Sequence, residues 1–209
     1  MENKLTRMLD FKEIEYALVE NKRPAFSGEQ ISKERNIGLE NVLKCILLTD
    51  GKKYCLACTT ADTQLDLKKI RNFLKADRLS FATKEEIKLV TGYRSGCVNP
   101  IIIKKKVSII FDHSVREKKI VDISAGIPTA GIQIKQQHLS LLVNPRFEGI
   151  TKEITLPSQV KTLVLKKRGK KSRSSQRMSE KETGSESKKN TFYGNNDRLI
   201  NFKKNQSGL

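Results

Sequence analysis

Thr91-Gly92-Tyr93-Arg94-Ser95-Gly96-Cys97-Val98-Asn99-Pro100 stands between a helix-like segment and a strand-like one. Its punctuation marks a long connection. Gly92 and Gly96 open backbone angles closed to other residues, and Pro100 fixes its own φ and brings no N–H. Such a loop can carry several backbone N–H groups to one ligand oxygen, as a site that stabilises a developing oxyanion requires. An ordinary turn fits the same residues. The segments on either side have to decide.

Upstream, Thr83 and Glu86 form a capping box that opens a helix through Ile87 and Val90. Downstream, 107–111, 120–123 and 132–134 have the apolar character of strands, and 136–142 that of a helix. Nearer the N-terminus, the pattern gives a helix over 4–11 and a strand over 15–20. Ser27 caps a helix through Ile31 and Arg35 that Gly38 is expected to end. Strands 42–49 and 54–60 meet at Asp50-Gly51, a strong hairpin signal. Segment 65–74 places apolar residues at helical spacing with Lys68 and Lys69 on the other side, and 79–81 makes a short strand. The expected class is α+β (mixed α/β): a single domain over 1–150 with a central curved mixed sheet flanked by helices.

Charge divides the chain. Residues 1–150 hold 26 basic and 18 acidic residues, net +8; residues 151–209 hold 15 and 5, net +10, within a total of +18. The second part is expected to be a basic low-complexity extension, disordered when free, with strand or helix at most over 154–156 and 160–165. Lys166, Lys167 and Arg168 begin its polar run. A polyanion is the natural partner, nucleic acid ahead of a membrane surface. No secretory signal or long apolar run is visible, so a cytoplasmic protein is expected, and a monomer.

Cys55 and Cys58 form a CxxC inside a strand pattern, which sends the two side chains to opposite faces. Buried reduced thiols are the expected reading, with no metal and no cofactor.

Lys44 lies in Val42-Leu43-Lys44-Cys45-Ile46-Leu47-Leu48 and by alternation shares a face with Val42, Ile46 and Leu48. Either that face is solvated or the ammonium points into a pocket for a negative group. Ser124-Ala125-Gly126 ends a strand, where a small hydroxyl beside glycine suits either substrate positioning or a plain turn.

Taken in order, Phe26-Ser27-Gly28-Glu29, Val42-Leu43-Lys44, Leu65-Asp66-Leu67-Lys68-Lys69, Thr91-Gly92-Tyr93 with Gly96-Cys97-Val98-Asn99-Pro100, and Ile123-Ser124-Ala125-Gly126 resemble the YbaK-type aminoacyl-tRNA deacylases. These are relatives of the editing domain of bacterial prolyl-tRNA synthetases. The resemblance implies hydrolysis, in trans, of the ester joining a mischarged amino acid to tRNA. It assigns Lys44 as the essential cation, Gly96, Cys97, Val98, Asn99 and Pro100 as backbone contacts to the aminoacyl group, and Ser124, Ala125 and Gly126 as pocket wall. Lys68, Lys69, Lys166, Lys167 and Arg168 are the expected tRNA contacts, and a synthetase is a compatible partner. An adaptor that keeps the fold and binds tRNA or a synthetase without catalysis is the alternative. The chain departs from the family pattern at Leu18-Val19-Glu20, where many members carry Tyr-x-His. It departs again at Cys45, often Thr, at Gly96-Cys97 in place of Gly-Gly, and at Ser124-Ala125-Gly126 in place of Ser-Gly-Gly.

Overall fold

A computed structural model describes residues 3–152. The strand or helix expected at 154–156 and 160–165, the basic run Lys166, Lys167 and Arg168, and the expected disorder of the extension lie outside the described residues.

Side-chain caps fix where the helices begin. Asn3 accepts from the N–H groups of Leu5 and Thr6 to start α1 (Lys4–Phe11). Ser27 and Gln30 form a reciprocal capping box on α2 (Gly28–Arg35). Asp66 accepts from Lys68 and Lys69 to start α3 (Leu67–Leu74), and Thr83 with Glu86 starts α4 (Lys84–Thr91). Each cap satisfies N–H groups that the first helical turn leaves without partners. The expected stop of α2 moves: Asn36, not Gly38, takes the left-handed conformation at φ 50°. Asn tolerates that region because its short polar side chain can bond locally.

The strands are β1 (Tyr16–Glu20), β2 (Leu43–Thr49), β3 (Tyr54–Thr60), β4 (Ser80–Phe81), β5 (Ser108–Asp112), β6 (Ile120–Ser124), β7 (Ala130–Lys135) and β8 (Arg146–Glu148). Two short helices, α5 (His113–Arg116) and α6 (Gln136–Val143), follow β5 and β7. The α+β class holds, and the sheet comes in two ladders. One is mixed and five-stranded, in the order β4-β2-β3-β5-β8; the other is antiparallel and three-stranded, in the order β1-β7-β6. An isolated parallel bridge, Val42 to Asp122, joins them.

Alternation along β2 and β3 sorts the core into two. Leu43, Leu47, Leu56 and Cys58 face the larger cluster, shared with β6, β7 and α1. Leu48, Cys55 and Ala57 face the smaller one, closed by Ile70 of α3 and by Ile110 and Ile150. Cys55 and Cys58 thus stand on opposite faces in separate cores. Burial pushes the Cys55 thiol up to about 12 and Cys58 well above the ordinary range. Such thiols are chemically quiet.

Candidate functional site

Because β4 has only two residues, it pairs with β2 at Leu48 and Thr49 alone. Ala82 N–H donates to the Leu47 carbonyl on that side, at 3.0 Å. The period of two then turns the backbone groups of Cys45 to the same edge, between the pairing with β4 and the bridge from Val42 to Asp122 of β6. A cleft of about 490 Å³ is lined by this edge. Its other walls are Phe26 with the first turn of α2, the loop at Ser95, Gly96 and Val98, and Asp122 and Ser124 of β6.

Lys44 is held, not free. Its Nζ donates to the carbonyls of Thr63 at 2.5 Å and Ala61 at 3.3 Å. Burial lowers its pKa, while the carboxylates of Asp62 and Glu29 pull it the other way. Glu29 belongs to the first turn of α2, so the helix brings an acid to the ammonium and a capped N-terminus to the cleft.

The loop is built by its own side chains. Gly92 ends α4 at φ 83°, and Thr91 Oγ1 accepts from Tyr93 N–H at 3.1 Å. Gly96 sits at φ 81°, a conformation that favours glycine. Cys97 N–H closes a turn onto the Arg94 carbonyl at 3.0 Å. Asn99 Oδ1 accepts from both Ile101 and Ile102 at 3.1 Å, which fixes the turn after Pro100. Ser124 Oγ accepts from Gly126 N–H at 3.0 Å. Gly126, at φ 94°, lies so close under Tyr93 that a Cβ there would come within 2.8 Å of the ring.

Of the residues singled out in the sequence, Lys44, Gly96, Val98 and Ser124 line one cleft. Cys97, Asn99, Pro100 and Ala125 are buried and, with Gly126, lie outside its lining. Lys68 and Lys69 open α3, on the smaller core; Lys69 Nζ donates to the Thr151 carbonyl at 3.0 Å, and Lys68 borders a separate groove of about 340 Å³ with Arg71 and Arg78.

Three features of the surroundings were given no role from the sequence. Asp122 shares the Ser124 face of β6 and reaches the cleft, and its carboxylate is ion-paired with buried Arg35 of α2. Burial raises the Asp122 carboxyl to about 6, against the pull of Arg35 and, to a lesser degree, the Gln133 amide. One acid inside the aliphatic run Ile120-Val121-Asp122-Ile123 was the available signal. Phe26 and Phe81, both more than half exposed, stand on the cleft. Finally, Lys104 and Lys105 bond their backbone to the end of α4, which sets the exposed run Lys104-Lys105-Lys106 beside Gly92 and exposed Arg94.

The chain is an α+β domain whose mixed sheet leaves part of one strand edge open to a cleft, with a lysine and a glycine loop on its walls. Within it, residues 22–141 match the model of the aminoacyl-tRNA editing domain, and the chain belongs to that family. Among curated proteins, it is 23% identical over 141 residues to the prolyl-tRNA editing protein ProX of Acetoanaerobium sticklandii, covering 65% of this chain and 85% of that one. It is 26% identical over 98 residues to the proline–tRNA ligase of Bacillus licheniformis, covering 47% of this chain but only 17% of the ligase. A crystal structure described as a candidate trans-editing enzyme for prolyl tRNA synthetase superposes with a TM-score of 0.62 at 19% identity, over 66% of this chain and 87% of that one. No helix among the described residues is long and apolar enough to cross a membrane.

Proposed function

We propose that the chain is a trans-acting deacylase that hydrolyses the ester of a mischarged aminoacyl-tRNA in the cleft beside β2. The observation that carries this is the convergence of Lys44, Gly96, Val98 and Ser124 on one cleft in a chain of the editing family. An ammonium has three donors. Two are committed to the Ala61 and Thr63 carbonyls, and the third is the one we assign to the substrate. Because the carbonyls fix the amine before substrate arrives, no reorganisation is needed as charge develops on the ester oxygen. With Cys97 N–H spent on Arg94, Pro100 lacking one and Asn99 outside the cleft lining, we assign Gly96 and Val98 as the loop amides that face that oxygen. Water is the attacking group; an aminoacyl ester is activated enough that no side-chain nucleophile is required. Residues 1–150 are assigned as the editing domain and 151–209 as a basic extension for tRNA; the names of the relatives make tRNA for proline, carrying non-cognate amino acids, the first substrate to try.

The test is release of amino acid from a panel of mischarged tRNAs. Lys44→Ala should cut the rate by ~10²–10³ or more, the scale of losing one oxyanion donor, while the protein stays folded with a cooperative thermal transition. Full activity in that variant removes Lys44 from the mechanism. Tight tRNA binding by the wild type with no hydrolysis of any ester establishes the adaptor instead.

A further inference from the structure

Two phenyl rings are left without cover at the same cleft. Phe26 is 58% and Phe81 59% exposed, and both are among the lining residues. Burying such a ring is favourable, so two of them bordering one concave site are an unspent surface. Phe26 stands at the loop end: a Cβ on Gly96 would lie 3.8 Å from its Cδ1. Phe81 stands at the other end of the open edge, paired with Leu48. Backbone contacts hold each in place without covering it. Phe26 N–H donates to the Gln30 side chain at 2.9 Å, and Ala82 next to Phe81 is tied to β2. Beside the loop lies the exposed cationic group of Arg94, Lys104, Lys105 and Lys106. Flat apolar faces on the cleft, with exposed cations at the Gly92 end of the loop that lines it, match a single strand of nucleic acid, whose bases stack while its phosphates pair.

Building on the deacylase activity proposed above, we infer that Phe26 and Phe81 are the stacking platform for the unpaired 3′ nucleotides of the tRNA, with Arg94 and Lys104–Lys106 taking their phosphates. The platform fixes where the terminal ribose stops and so delivers the ester to Lys44. It recognises the end of the RNA and is blind to the amino acid attached.

The test uses the full chain with Phe26→Ala, Phe81→Ala and the double variant. Both rings are more than half exposed, so the variants should keep the wild-type thermal transition. Base-on-aromatic stacking is worth ~1–3 kcal/mol per base, so each variant should lose about 5- to 150-fold in kcat/KM, mainly through KM. The factor should be the same for every amino acid on the panel, and Phe→Trp should restore it. A tRNA whose terminal nucleotide is abasic should be a poor substrate for the wild type and no poorer for the double variant. Losses that differ between amino acids and persist on the abasic substrate overturn the inference and make the rings a wall of the amino-acid pocket. Unchanged kcat/KM overturns it outright. Should the wild type hydrolyse no ester, the deacylase reading fails separately. The platform is then judged by binding of uncharged tRNA with and without its unpaired 3′ end. Equal loss of affinity for both in the double variant, or none, rejects it, and a loss confined to the intact end upholds it.

Discussion

Gly131 has no room for a side chain, because the guanidinium of Arg35 occupies the space. A Cβ there would lie 1.9 Å from Arg35 Nη1. The same guanidinium is paired with Asp122 and donates through Nε to Asn21 at 2.9 Å. One glycine therefore lets α2 reach through to β6. Gly131→Ala should displace the guanidinium and cost ~3 kcal/mol near pH 7, the scale of unpairing a buried charge, read from urea unfolding. Its pH dependence follows from Asp122. Raised by burial to about 6, that carboxyl favours the folded state most at low pH and withdraws its contribution as pH rises through that value. Without Arg35 the withdrawal is larger, so the deficit should be small near pH 5 and widen toward pH 7. A deficit that does not change with pH would disconnect Gly131 from the pair. None of this was legible in the sequence. Gly131 lies just ahead of the strand expected over 132–134, and no local pattern links residues 87 apart, whereas Lys44 stood out because a lone cation in an aliphatic strand violates the local rule.

Elements with their own signals were legible, and those that borrow stability were not. The N-cap at Ser27, the capping box at Thr83 and the Asp50-Gly51 hairpin could be read directly, since capping and turn chemistry are local. The four-residue α5 and three-residue β8 are too short for any period, and tertiary bonds hold them. Asp112 makes the chief one: its Oδ1 accepts from Ser114 N–H to cap α5, and its Oδ2 accepts from Ile150 N–H just past β8, both at 2.9 Å. Asp112→Ala should cost ~2 kcal/mol through the lost cap and the buried Ile150 N–H left without a partner. Burial would raise this carboxyl, but the donors from Ser114, Ile150 and Thr151 outweigh it and hold the pKa below its ordinary 3.8. A lowered folded value means stability that is present above the unfolded pKa and lost as pH falls through the folded one. Asp112→Asn should accordingly be less stable than the wild type near neutrality and converge on it in acid. Parallel unfolding curves at every pH would sink this assignment.

At the scale of the molecule, five ordered motifs pointed to one cleft, and Lys44, Gly96, Val98 and Ser124 do line one. The division of the sheet into two ladders was not legible, because it turns on a bridge between Val42 and Asp122 that no strand pattern encodes. The remaining asymmetry is electrostatic: 151–209 carries net +10 against +8 for the longer part before it. The last described residues are tied to the domain, since Ile150 and Lys152 bond to Asp66 and Gln64. Cutting after Lys152 keeps those bonds and removes the remaining basic residues. The shortened chain should retain a cooperative unfolding transition and, at saturating substrate, the hydrolysis rate of the full chain, because every described residue that lines the cleft precedes the cut. What should change is capture of the RNA. Each phosphate contact contributes ~0.7–0.9 to the slope of log K against log salt, so removing several must both weaken tRNA binding at low salt and flatten that slope. Binding isotherms at three or four salt concentrations decide the matter. An unaltered slope means the extension's charge is spent on solvent, and the RNA is held by the domain's own Arg94 and Lys104–Lys106.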